Sequence, residues 1–323
     1  MTNFQVYRKT LSFSFLSTVV NLFALAALGG CTAGGFIIAD KYFDRALIGL
    51  AIGFAIGVIL CIVISIFGSN PIKAAQISMM VKGVTEDELP KNTLSTGFKE
   101  LNGRFGKITA FFVITNAIKG IFRQIGHGFT RLTSTLGGNV GSNVGSAIDS
   151  AVQTVIEYLC DCCLGWVLYR KEENSFKAAC EGSVIFFKHG KTLARNVGRI
   201  FGIGLLSLIV IGGAVMGISY AIFLQFPAAF ASLANEIAAA AARGSVDIPA
   251  WLTNPNILSI AIAGIGALVI WSMFHSVFIR PFILVGVLRN FMAAGIADIP
   301  TEADLNDLAS KSPRFAKLQS KAE

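Results

Sequence analysis

The side chains with the most chemical potential lie between Lys119 and Asp161. Lys119, Arg123, His127 and Arg131 recur every four residues, and so do Asp149, Gln153, Glu157 and Asp161. On a helix that spacing gathers each set on one face. A glycine-, serine- and asparagine-rich stretch, 137–146, separates the two limbs and can turn the chain. An antiparallel hairpin in a single register sets Arg131 against Asp149, Arg123 against Glu157 and Lys119 against Asp161. Such pairs would lock the hairpin; the same carboxylates, once released, could bind or relay a cation. An ionisable group near the centre of a membrane helix costs on the order of 2.5–3.5 kcal/mol, so Glu157 and Asp161 need a partner or water in either role.

Other chemistry is sparse. His275 follows Trp271 by one helical turn, a pair suited to lining a pathway or to an ordinary interhelical contact. The three histidines are isolated in sequence, which argues against a histidine-based nucleophile relay. Cys160, Cys162 and Cys163 flank Asp161, but no second cluster or spaced histidine pair completes a metal site, and buried apolar thiols explain them better. The chain has no P-loop, GxSxG, HExxH or dinucleotide fingerprint. The expectation is therefore a non-enzyme with no metal and no cofactor.

The elements that hold these residues are apolar. Hydrophobic residues make up 54% of the 323 and charged residues 14%, with a mean hydropathy of +0.65. Several runs exceed the ~18 residues of a membrane-spanning helix, whereas a β-barrel would alternate over segments of about 10. The class is an all-α integral membrane protein, a polytopic bundle of about six transmembrane helices. The spans lie near 11–39, 46–68, 107–128, 147–169, 200–226 and 257–279. Pro71 is expected to stop the second, and Arg280-Pro281 to mark the end of the sixth, with 282–292 continuing as a bent or interfacial helix.

The net charge of +8 is distributed around the spans and forms no single basic face, which speaks for membrane orientation and against nucleic acid. Lys73, Lys82, Lys91, Lys99, Arg104 and Lys107 place 69–106 in the cytoplasm, and Lys177, Lys188, Lys191, Arg195 and Arg199 do the same for 170–199. Both segments are expected to contribute amphipathic helices at the membrane surface. The segment 227–256 is then external, both termini are cytoplasmic, and the membrane domain covers 1–294. A basic tail, 295–323, opens with the helix-start pattern Thr301-Glu302-Ala303-Asp304. Gly49, Gly53 and Gly57 form a small-residue ladder that admits a second helix at close range, and glycine-rich faces of this kind suggest a homo-oligomer in the bilayer.

From about residue 94 to 295 the order of features resembles the choline transporter-like family. Ser95-Thr96-Gly97-Phe98-Lys99 opens a long helix, and the cysteine cluster of Cys160, Cys162 and Cys163 follows. Arg195-Asn196 and Arg199 then precede a glycine-rich span, and Phe274-His275-Ser276-Val277-Phe278 leads to Val287-Leu288-Arg289-Asn290. The family's large extracellular domain has no counterpart here. The resemblance implies a plasma-membrane transporter or channel-like protein for a small cationic or lipid-like solute. Glu157, Asp161, Trp271 and His275 are the candidate pathway residues. Lys119, Arg123, Arg131 and Asp149 are candidate members of the charge-paired hairpin. The alternative is a membrane scaffold or assembly factor that recruits a partner through its cytoplasmic loops.

Overall fold

The apolar runs form helices longer than a bilayer requires. The computed structural model describes residues 1–43, 46–105, 113–121, 142–244, 249 and 252–322, and no strand occurs among them. In chain order the helices are α1 (Asn3–Phe43), α2 (Ala46–Ile64), α3 (Asn70–Thr85), α4 (Thr93–Phe105) and α5 (113–121). Then come α6 (Ser142–Tyr169), α7 (Ser175–Ser207), α8 (Gly213–Phe223), α9 (Pro227–Gly244) and α10 (Pro255–Phe274). α11 (Arg280–Ala297), α12 (Glu302–Lys311) and α13 (Pro313–Gln319) complete the order.

Four stretches have the length and composition to cross a membrane: Asn3–Ala39, Ile48–Thr85, Gly202–Phe223 and Pro255–Ala297. Of the other sequence-predicted spans, 107–128 falls largely outside the described residues. The span at 147–169 coincides with α6, which is not one of the four and is buried from Tyr158 to Leu168.

Two of the four carry a joint where the sequence suggests a stop. A π-turn, Ser65–Ser69, joins α2 to α3, and another, His275–Ile279, joins α10 to α11. Pro71 therefore does not end its helix; 282–292 continues the last one, as expected, although without the stop that Arg280-Pro281 suggests. A proline inside a helix lacks an N–H and collides with the carbonyl one turn earlier. The π-turn admits an extra residue just upstream. Pro71 then sits in the first turn of α3, where its missing donor is not needed. At 38 residues Ile48–Thr85 is far longer than a span needs. It extends about 57 Å, against about 30 Å for the hydrocarbon core.

The chain divides into two units. Residues 1–17, 66–202 and 280–323 form one, and 18–65 with 203–279 form the other. In the first, the charged unit, α3 packs on α4, α6 and α11, and α6 packs on α11. Phe13, Ile77, Met80, Tyr158, Trp166 and Phe291 are buried at its centre. The segment 170–199, expected to lie on the membrane, instead places Ala178, Cys180, Val184 and Ile185 of α7 in this core. The tail is folded too. Thr301 and Asp304 form a reciprocal capping box for α12, Ser312 caps α13, and Leu305, Leu308, Phe315 and Leu318 are buried.

The second, apolar unit is held by backbone proximity. A Cβ on Gly53 would stand 2.2 Å from the Cys31 carbonyl oxygen, so only glycine lets α1 and α2 come this close. The glycine ladder is thus occupied by α1 of the same chain. Elsewhere in the unit α10 packs on α8 and α9. Phe23, Ile59, Leu206, Ile218 and Ile265 are each more than half exposed, as lipid-facing side chains would be.

Candidate functional site

In the charged unit four ionised side chains from three helices meet around α6. The Asp161 Oδ1 atom lies 2.7 Å from Lys73 Nζ on α3. Its Oδ2 accepts from Nη2 of Arg280, the first residue of α11, at 2.9 Å, and Arg280 Nη1 donates to Glu157 Oε2 at 2.6 Å. Glu157 and Asp161 are one turn apart on α6, so a single guanidinium fork reaches both carboxylates. The guanidinium also lies 5.3 Å from the ring centroid of Tyr158, a cation–π contact. Lys73 comes two residues after Pro71, and Arg280 directly precedes Pro281. Both cations thus lie within four residues of a π-turn and beside a proline.

The arrangement is two cations with two anions. Asp161 is 8% exposed and both its oxygens are engaged, whereas Glu157 is 43% exposed and keeps an open edge. Asp161 is a closed lock, and Glu157 is the accessible member. At Asp161 these partners stand where the hairpin register sets Lys119. Lys119 does not take Asp161; it is exposed on α5. Arg123, His127 and Arg131 lie outside the described residues, as does the side chain of Asp149 on α6. The functional residues missed from sequence are Lys73 and Arg280, which read as loop and span-end markers. The signal that could have found them is a basic residue beside a proline within a long apolar run.

A second network braces the cluster's surroundings. Glu181, buried on α7, accepts from Trp166 Nε1 at 2.9 Å and Arg170 Nε at 3.2 Å. Glu100 on α4 accepts from Ser78 Oγ at 2.6 Å and lies 3.3 Å from Lys171 Nζ and 3.4 Å from Lys82 Nζ. Burial raises the affinity of Glu100 for a proton, but the Ser78 hydroxyl and the two ammonium groups outweigh it and hold the carboxyl below its ordinary range. Arg104 donates from Nε to the Val167 carbonyl at 2.9 Å and from Nη1 to the Lys171 carbonyl at 3.1 Å, closing the C-terminal end of α6. Burial, with Glu181 nearby, pushes the Cys180 thiol up to about 12, which leaves it protonated and unreactive. Cys160, Cys162 and Cys163 are likewise buried free thiols.

In the apolar unit Trp271 and His275 do come together, with ring centroids 5.2 Å apart and planes tilted by 38°. Trp271 Nε1 donates to Ser207 Oγ at 3.2 Å, and Ser207 donates to the Gly204 carbonyl at 2.7 Å. A Cβ on Gly204 would stand 3.7 Å from His275 Nε2, an ordinary van der Waals contact, so the imidazole lies against this turn of the helix. Both helices are interrupted here, at the π-turns Leu208–Gly212 and His275–Ile279. Ser207 was not singled out from sequence, although it is the only polar side chain between 203 and 217.

The chain matches no family model, no curated protein and no solved structure, so only its own geometry bears on function. What the geometry establishes is the class: an all-α membrane protein with four helices long and apolar enough to span.

Proposed function

We propose that this chain is a multi-pass transporter or channel-like protein for a small cationic or lipid-like solute. In this reading Ser207, Trp271 and His275 contact the solute. The observation that carries it is the meeting of two π-interrupted helices at these three side chains in the apolar unit. Carriers build binding sites at membrane depth from interrupted helices, whose freed backbone groups need protein or water partners. A tryptophan face attracts cations, and an imidazole switches charge near neutral pH. Six spans with cytoplasmic termini, residence in the plasma membrane, a homo-oligomer and kinship with choline transporter-like proteins belong to the same reading. It involves no catalytic step and no cofactor. Glu157 and Asp161 are available to a cation only when their pairs with Arg280 and Lys73 open.

A second reading, a membrane scaffold that recruits a partner through the charged unit, is favoured by the saturation of Asp161. One experiment separates them: uptake of labelled choline and of simple cations into liposomes holding the purified chain. Transport predicts saturable uptake that Trp271→Leu and His275→Ala abolish while the protein elutes as a folded species. A folded wild type that takes up none of these solutes overturns transport and leaves the scaffold.

A further inference from the structure

We infer that Arg8, Lys9 and Lys91 form a binding site for the headgroup of an anionic phospholipid. All three are exposed, and none pairs with a carboxylate among the described residues. Two elements bring them together. The Lys9 carbonyl accepts from Thr93 Oγ1 at 3.2 Å, and Lys91 lies two residues before Thr93 in the turn that leads into α4. The rings of Phe13 and Phe98, with centroids 6.2 Å apart, fix the same junction one turn further along each helix.

Placement decides the occupant. Arg8, Phe15 and Leu22 are spaced by seven residues and share one face of α1. Phe15 is 61% and Leu22 55% exposed, with Val19 between them at 63%. Phe4, one turn before Arg8 on the same face, is 59% exposed, so Arg8 lies between exposed aromatic rings near the start of α1, as a cation at a membrane interface does. A guanidinium grips phosphate oxygens in a two-pronged hydrogen bond, and ammonium groups beside it supply point charge. Basic residues at the foot of a membrane helix attract anionic lipid, each strengthening binding several-fold. The site is independent of whether the chain moves a solute or recruits a partner.

The test is native mass spectrometry of the full chain released from nanodiscs containing phosphatidylglycerol and phosphatidylcholine. The wild type should retain phosphatidylglycerol in preference, and R8Q/K9Q/K91Q should lower that retention roughly ten-fold or more. Lys91→Glu alone, a turn residue whose change does not disturb a helix, should lower it by a smaller factor. Removing the same charge elsewhere, with K311Q/K317Q/K321Q, should leave it intact. Equal retention by the first variant, an equal loss in the tail variant, or no preference in the wild type overturns the inference. So does thermal stabilisation by inorganic phosphate that equals that by phosphatidylglycerol.

Discussion

The two units solve the problem of holding helices together in opposite ways. The residue ranges of the charged unit contain 24 of the 27 lysines and arginines and 15 of the 19 acidic residues, and its centre is aromatic and sealed. The apolar unit has almost no charge, shows its large side chains to the outside and joins α1 to α2 through glycine. The difference is the one that two solvents would produce. Where water is the alternative, burying Tyr158 and Trp166 is a driving force in itself. Where lipid is the alternative, apolar burial gains little, and helices associate by close backbone approach and a few polar contacts. Trp271 with Ser207 is one such contact. It therefore stands out in its unit, while the three charges around Asp161 are typical of theirs.

The comparison breaks first at Asp161. Asp161→Asn leaves Lys73 without its counter-ion and Arg280 with Glu157 alone, and should cost about 3–5 kcal/mol, read as a lower unfolding temperature of the detergent-purified chain. Replacing all three, K73M/D161L/R280M, should be milder than the single change. If the triple variant is the worse, the cluster does more than hold helices. Next comes the apolar unit. Gly53→Leu forces α1 off α2 and should cost about 1–3 kcal/mol, while Gly217→Leu, where a Cβ meets nothing within 4 Å, should cost almost none. Equal losses would mean that glycine proximity is not what joins this unit.

A smaller effect sharpens the picture of the charged unit's water-facing chemistry. The Glu100 carboxyl is held below its unfolded value of about 4.3, so its contribution is complete above that pH and disappears as pH falls through the folded value. Glu100→Gln should therefore destabilise at pH 7 by roughly 1 kcal/mol and by progressively less as pH falls below the ordinary carboxylate range. A constant difference across that range would assign the loss to packing. The smallest test is Thr301→Ala, which removes the α12 cap and should cost about 1 kcal/mol by thermal unfolding.

Sequence patterns reveal the features set by near neighbours. Apolar runs announce the membrane helices, the spacing of Gly49, Gly53 and Gly57 announces a close helix contact, and Thr301 with Asp304 announces a cap. The i,i+4 pattern also finds Glu157 and Asp161, because both lie on one helix. Their partners escape, since Arg280 is 119 residues from Asp161 and a local hairpin offers a nearer cation. Pro71 and Pro281 mislead for a related reason. Proline as a stop is a rule about an ideal α-helix, and a π-turn that accommodates it leaves no compositional trace. Trp271 and His275 share a turn and can be paired from sequence. Ser207 is joined to them only by the packing of a different helix.

The π-turns have a consequence for helical phase. Each contains an inserted residue, and each α-helical residue advances the chain by about 100° around its axis. Whatever follows Leu208–Gly212 is therefore aimed more than a quarter-turn from where an uninterrupted helix would aim it. That turn lies wholly within the apolar unit, so the face that α8 offers to α10 is set by the number of residues in one five-residue turn as well as by their identity.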